Sequence, residues 1–149
     1  QSAQEHFNNV NPLAHALENA VARAEERARN KKQFWYITYE KTNLTDDRVY
    51  AGKTSGWGAT PSEVLITRDR NHHMSRVGYG PARLEYAYSA GDGTGPRMIY
   101  GDIIIRGREQ LLIEKWREQG LSGNTRNAID PQKKREFYTI AKALAKTVF

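Results

Sequence analysis

The chain has 149 residues, the length of one ordinary domain and enough to bury a core without disulfide or metal staples. Hydrophobic residues make up 38% and charged residues 27%, as in soluble globular proteins. The 23 Lys and Arg against 17 Asp and Glu leave a net charge of +6, which suggests an anionic partner, nucleic acid being the commonest. The absence of cysteine excludes a disulfide framework, a zinc–thiolate site and a cysteine nucleophile. No apolar run is long enough to cross a bilayer and no stretch has the pattern of a signal peptide. The chain begins at Gln1 and not at Met, so it is expected to be a domain of a longer protein.

Residues 1–10 are polar and unpatterned and read as a loose end. Asn11-Pro12 has the form of an N-cap followed by a first helical proline. From there Leu13, Leu17, Ala20, Val21, Ala24 and Ala28 recur at helical spacing, with Glu18, Arg23, Glu25, Glu26 and Arg29 mostly opposite, giving an amphipathic helix to about Asn30. That helix is either a linker or an element packed on the core. Residues 1–32 are therefore read as a tail and linker helix, and 33–149 as the functional domain.

Gln33 to Glu40 and Arg48 to Gly52 are rich in aromatic and β-branched residues and flank a polar connector, Lys41 to Asp47, which predicts an antiparallel hairpin. Gly56 and Gly58 are expected to loosen the backbone around Trp57. Thr60-Pro61-Ser62-Glu63 combines an N-cap, a first-turn proline and a capping-box glutamate, and predicts a helix to about His73. Arg83 to Ser89 reads as a third strand, Ser89 to Pro96 as a flexible loop, and Ile103 to Gln119 as a helix. Asp130-Pro131 begins the last helix, with Phe137, Ile140, Ala141, Leu144 and Val148 as its core stripe. The order predicts an α+β domain with a small, mostly antiparallel sheet of about three strands flanked by helices.

Three constellations can carry chemistry. Glu109 shares a helical face with Leu112, Ile113 and Trp116, and a carboxylate on an apolar face is costly unless it is paired or bound to a metal. A structural salt bridge is the plain reading. A ligand to Mg²⁺, an ion that takes few protein ligands, is the sharper one. Arg68 and His72 fall one turn apart on a predicted helix, where a permanent forked donor and a group that titrates near neutrality can address one phosphate and its water. A solvated polar face is the alternative. Tyr36 and Tyr50 lie on paired strands, with Lys53 close behind Tyr50 to favour a phenolate. Tyr39 and Tyr100 have no such company, and the tyrosines read equally as sheet packing. Asn124 and Asn127, in a Gly-containing turn, are either turn formers or side-chain anchors.

Taken in order, these residues resemble the GIY-YIG nuclease superfamily. Phe34-Trp35-Tyr36 stands where Gly-Ile-Tyr would be, and only its Tyr is kept. Tyr50-Ala51-Gly52-Lys53-Thr54 stands for the second motif, Arg68-x-x-x-His72 for the helical pair, Glu109 for the metal-binding Glu, and Asn127 or else Asn124 for the final Asn. The likeness covers about residues 34 to 129 and implies a GIY-YIG-like α+β fold carrying an extra N-terminal helix. The stretches Gly52 to Gly56, Arg68 to Met74, Gly78 to Ala82 and Ile105 to Gln110 also look like the C-terminal nuclease toxin domains of bacterial polymorphic toxins, often joined to Rhs or other secreted carriers.

The resemblance implies a Mg²⁺-dependent endonuclease of low sequence specificity, with Mn²⁺ able to substitute, acting on DNA in the favoured reading and on RNA in the alternative. Catalysis would fall to Tyr36, Tyr50, Arg68, His72, Glu109 and Asn127, with Glu109 as metal ligand and Lys53, Arg70 and Asn124 at the substrate. Either Tyr36 or His72 would serve as the base. Arg70, Arg76, Arg83, Arg97, Arg106 and Arg108 would contact the nucleic-acid backbone without reading sequence. It further implies a carrier upstream, secretion or translocation from a bacterium into a target-cell cytoplasm, a cognate and acidic immunity protein, and no membrane partner. A non-catalytic nucleic-acid-binding module and a protein-interaction domain are the rivals from other classes.

Overall fold

The computed structural model describes residues 3–148, and its side-chain description covers 11–148 except 28 and 29. The first two residues of the expected loose end, and the places expected for the Ala28 and Arg29 side chains, lie outside the described residues. The chain divides into two compact units, Gln1–Lys31 and Lys32–Phe149.

The first unit is one helix, α1 (Ala3–Asn30), with Pro12 inside it. The helix therefore starts before the Asn11-Pro12 signature. Pro12 lies in the helix interior, where a proline costs a backbone hydrogen bond but does not end this helix. Leu13, Leu17 and Val21 share a face by their spacing, and all three are exposed.

The second unit is α+β, built on a three-stranded antiparallel sheet of order β2-β1-β3, with β1 (Gln33–Thr42) central, β2 (Val49–Gly58) at one edge and β3 (Arg83–Ser89) at the other. β2 runs through Gly56 and Gly58 instead of loosening there. Gly56 lies where a Cβ would touch Val64 at 3.4 Å, so the missing side chain lets a helix lie close. One face of the sheet gathers Ile37 and Tyr39 against Val64 and Leu65 of α2 (Pro61–Asp69). The other sets Ala51 against Leu112 and Ile113 of α3 (Pro96–Glu118). α4 (Arg135–Lys146) crosses α3 where a Cβ on Gly107 would come within 2.0 Å of the Ala141 carbonyl oxygen.

α2 is shorter than expected. It ends at Asp69, and His72 caps a 3₁₀ turn at His73–Val77, its Nδ1 accepting the Met74 N–H at 3.1 Å. The capping box does not form: Thr60 makes no side-chain cap bond, and Glu63 accepts from the Ala59 N–H at 2.9 Å, one residue before the cap. α3 begins earlier than expected, because Pro96 supplies a first-turn residue right after the glycine loop. On α4, Ala141 and Ala145 are fully buried while Ile140 is 60% exposed, so the stripe drops Ile140 and takes in Ala145.

A buried cation fixes this framework. Lys41, 0% exposed, bonds Asp69 and the Ser75 hydroxyl, and Asp69 also accepts from the Ala82 N–H at 3.0 Å. One side chain thus ties the end of β1 to the end of α2, the 3₁₀ turn and the approach to β3. Burial alone would raise the Asp69 carboxyl, but the Lys41 bond and charge and the Ala82 N–H bring it below its ordinary range.

Candidate functional site

The site straddles the edge strand β2. Register places Tyr39 opposite Gly52 and Lys41 opposite Tyr50. Tyr39 and Tyr50 therefore share the α2 face, since side chains alternate along a strand. A Cβ at Gly52 would fall 2.4 Å from the Tyr39 ring, so the glycine makes the room that the buried Tyr39 ring fills. Tyr36 is an odd number of residues away and falls on the opposite face. There its hydroxyl donates to Met98 Sδ at 3.8 Å, and a Cβ at Gly101 of α3 would meet its ring. Tyr36 is thus separated from Arg68 and His72. Burial and the Asp102 charge raise its phenol, with Arg106 opposing, and Lys53 does not lower it. The tyrosine that meets the helical pair is Tyr39.

Tyr39, Arg68 and His72 converge on one oxygen. Arg68 Nε donates to Tyr39 Oη at 3.4 Å, and His72 Nε2 lies 2.7 Å from the same atom. Because His72 Nδ1 accepts from Met74, the neutral ring carries its proton on Nε2 and donates it to Tyr39. Burial, with the charges of Arg68, His73 and Lys41, lowers the His72 imidazole to about 4, so it stays neutral near pH 7. Both ring nitrogens are occupied and the residue is 1% exposed, which removes His72 from the role of proton carrier to a water. It holds Tyr39 instead. Burial pushes Tyr39 up to about 12 against the Arg68 bond and charge. Tyr39 is a fixed phenol that accepts two donors and aligns Arg68.

Glu109 lies on the other side of the β2 edge. It lines a cleft of about 380 Å³ with Tyr50, His73, Asn124 and Asn127. Its Oε2 is buried and has no hydrogen-bond partner among the described residues. Burial lifts its carboxyl to about 7, although the charges of Lys53, Arg106 and Arg68 pull it down. Among the described residues it makes no salt bridge of the kind the plain reading expects. Burial and the Glu109 charge raise Tyr50, so it keeps its proton as a hydrogen-bond donor. His73 stacks on His72 with ring centroids 4.7 Å apart and presents an exposed imidazole to the same cleft.

The two asparagines separate by role. Asn124 Oδ1 accepts from the Ala51 N–H and its Nδ2 donates to the Ala51 carbonyl, both at 2.9 Å, so one carboxamide imitates a neighbouring strand on the β2 edge. Backbone bonds between Val49 and residues 121 and 123 continue that cover. Asn127 accepts from Gln110 and Arg117 and lines the cleft. Asn124 is the residue that builds the motif strand, and Asn127 borders the cavity.

Among the expected backbone-binding arginines, Arg108 is not presented to a substrate. It is 7% exposed and pairs bidentately with Glu85 at 2.6 and 2.7 Å, with Nη1 donating to the Val148 carbonyl at 2.9 Å. Arg83 bonds the Thr42 hydroxyl and Arg106 bonds Asp102. Arg70, Arg76 and Arg97 are exposed. Sequence reasoning missed Tyr39, for which the strand parity with Tyr50 is the available signal once the register is known, and missed His73. His73 reaches the cleft because the chain has already left the helix.

A single carboxylate with an unpartnered oxygen, flanked by carboxamides and a phenol, fits an ion that keeps several waters and takes substrate phosphate oxygens, as Mg²⁺ does. No group of three or more His, Asp or Glu side chains able to hold a metal occurs among the described residues. Within those residues no helix is long and apolar enough to cross a membrane. No family model, curated protein or solved structure matches the chain.

Proposed function

We propose that the chain is a metal-dependent endonuclease of the GIY-YIG kind that hydrolyses phosphodiester bonds, with DNA the favoured substrate. The observation that carries this reading is the half-buried Glu109 carboxylate, one oxygen of which is buried and has no partner among the described residues, across the β2 edge from a guanidinium that bonds a phenol. An unpaired buried carboxylate costs stability. Such a cost is retained where the group has a ligand to meet.

Arg68, aligned by Tyr39, neutralises charge on a non-bridging phosphate oxygen. Tyr50 donates to the same phosphate. Glu109, with Asn127 beside it, would hold the cation, which would supply Lewis-acid polarisation of the phosphoryl group. Asn124 fixes the strand from which Tyr50 and Lys53 project. His73, the imidazole that lines the cleft, accepts the proton of the attacking water, a role for which both Tyr36 and His72 are wrongly placed. Exposed arginines such as Arg70, Arg76 and Arg97 supply the sequence-independent attraction. The likeness to polymorphic toxin domains extends the reading to an antibacterial effector. It would be delivered by an upstream carrier into a target-cell cytoplasm and neutralised by an acidic immunity protein that matches its basic surface.

The test is incubation with supercoiled plasmid and with total RNA, in Mg²⁺, Mn²⁺ or EDTA, beside Glu109→Ala checked for folding by circular dichroism. Metal-dependent plasmid cleavage that the substitution abolishes is the expected result. Cleavage of RNA alone would change the substrate and keep the site. Absence of cleavage of either, or an active Glu109→Ala, would overturn the reading.

A further inference from the structure

The Glu109 cleft opens into a second one. Thr125, Arg126 and Asn127 line both. From there a cleft of about 560 Å³ runs between the end of α3 and the segment that leads into α4, past Arg117, Asp130, Gln132 and Lys133. Asn127 is the joint. Its Oδ1 accepts from Gln110 and from Arg117. Gln110 is 1% exposed and also accepts the N–H groups of Ala128 and Ile129 at 2.8 and 3.2 Å. The residue next to Glu109 on α3 thus fixes the segment that carries the second cleft, so the two clefts are held in one arrangement.

The lining of the second cleft is cationic. Arg117 comes from the last turn of α3, and Arg126 and Lys133 are exposed. Against these three stands Asp130, whose Oδ1 accepts the backbone N–H groups of Gln132 and Lys133 at 2.8 and 3.2 Å. Its carboxylate is engaged in forming the turn before α4. Thr125 and Gln132 add neutral donors. No aromatic side chain lines this cleft among the described residues, so nothing there stacks a base. Two guanidinium forks and an ammonium suit phosphate oxygens, and such contacts position a strand without reading its sequence.

We infer that this second cleft is a phosphate subsite: the strand cleaved beside Glu109 continues through it, with a flanking phosphate held by Arg117, Arg126 and Lys133. The inference rests on the proposed nuclease reading and adds the path of its substrate. Binding energy gained at a remote phosphate helps only a substrate that has one. The subsite therefore favours an oligonucleotide over a phosphodiester that carries no flanking phosphate.

The experiment uses the full chain. Its probes are a short labelled oligodeoxynucleotide, its RNA counterpart and bis(p-nitrophenyl) phosphate, a diester with a single phosphate. Affinity for the oligonucleotides is read by anisotropy in EDTA over a range of salt, and initial rates are read in Mg²⁺. Arg126→Ala/Lys133→Ala is expected to bind roughly 2- to 30-fold more weakly, the scale of two exposed ion pairs. Its slope of log affinity against log salt should flatten by about 0.7, the value for one single-strand phosphate contact. Lys133→Glu should raise KM for the oligonucleotide and leave kcat/KM for the small diester unchanged. Lys146→Glu makes the same charge change on an exposed residue at the end of α4 and should leave both near wild type. Thermal melts check the fold of each variant. A loss confined to DNA or to RNA supports the subsite and names the sugar it accepts. Wild-type affinity and salt slope in the double variant would overturn the subsite. So would equal losses in Lys133→Glu on the two kinds of substrate, or an oligonucleotide loss as large in Lys146→Glu. If the small diester is not turned over, affinity and salt slope decide. If wild type cleaves nucleic acid and the variants lose nothing, only the subsite falls. If wild type neither binds nor cleaves any probe, the nuclease reading falls with it.

Discussion

Replacing Glu109 by Gln should stabilise the protein at pH 8 and change it little at pH 5. The folded carboxyl titrates at about 7, against 4.5 for the free group. As the pH rises through 4.5 the unfolded chain gives up this proton while the native state keeps it, so the native state loses stability between pH 4.5 and 7 and holds a constant deficit above that. The shift corresponds to about 3 kcal/mol at 1.36 kcal/mol per pKa unit, falling below ~1 kcal/mol at pH 5. Glutamine has the same shape and no charge to desolvate, so it escapes the deficit. For a domain of this size each kcal/mol moves the melting temperature by roughly 3–5 °C, which puts Glu109→Gln about 10 °C above wild type at pH 8 in EDTA. Calorimetry of both proteins at pH 5 and pH 8 is the assay. If the variant melts at or below the wild-type temperature at pH 8, the carboxylate is not strained by its surroundings. Repeating the scans with Mg²⁺ separates the cation from the strain. Wild type should gain stability from the ion, since it binds only the folded state, and the variant should not.

Tyr39→Phe removes the oxygen that aligns Arg68 and should lower plasmid cleavage by about 100-fold, the scale of losing one preorganised hydrogen bond. Tyr36→Phe, on the far face of the sheet, should leave cleavage within about three-fold, since it touches none of these groups; similar rates for the two variants would contradict the assignment. Asn124→Ala deletes both bonds to Ala51 and should cost about 1–3 kcal/mol in urea unfolding, with a smaller cost for Asn127→Ala at the cleft margin. Asp69→Asn leaves the buried Lys41 ammonium without its counter-charge and should cost about 3–5 kcal/mol. Wild type should also weaken as acid protonates Asp69, because its lowered carboxyl stabilises the fold above the free-group pKa and loses that contribution as the pH falls through the folded value.

The sheet is legible in the sequence because strand-forming residues announce themselves locally. Arg83 to Ser89 forms a strand with the expected bounds, and the aromatic run from Gln33 begins the central one. The end of α2 is not legible. Arg68, His72 and His73 continue a helical pattern in the sequence. What stops the helix is the set of distant partners that Asp69 and His72 find: Lys41 from the centre of the sheet and the hydroxyl of Tyr39. An interaction across 28 residues leaves no local trace.

The same reasoning explains why the motif resemblance points to Tyr36 where the fold brings Tyr39 to Arg68 and His72. Phe34-Trp35-Tyr36 and Ile37-Thr38-Tyr39 both end in Tyr on one strand, and residue composition does not distinguish them. Parity does, since only a tyrosine an even number of residues from Lys41, the cross-strand partner of Tyr50, can share its face. Once the register is known, Gly52 becomes a packing statement, since the ring that needs its missing Cβ is Tyr39. Asn124 belongs to the same class. Its carboxamide completes a strand edge, and a strand edge exists only after the sheet has formed. The carboxylate is the exception. A lone Glu among Leu112, Ile113 and Trp116 is an anomaly of the helical pattern itself, and it stays an anomaly in the fold, because no described residue partners its buried oxygen. Chemistry that conflicts with packing is what sequence displays most directly, while chemistry that cooperates with packing waits for the register.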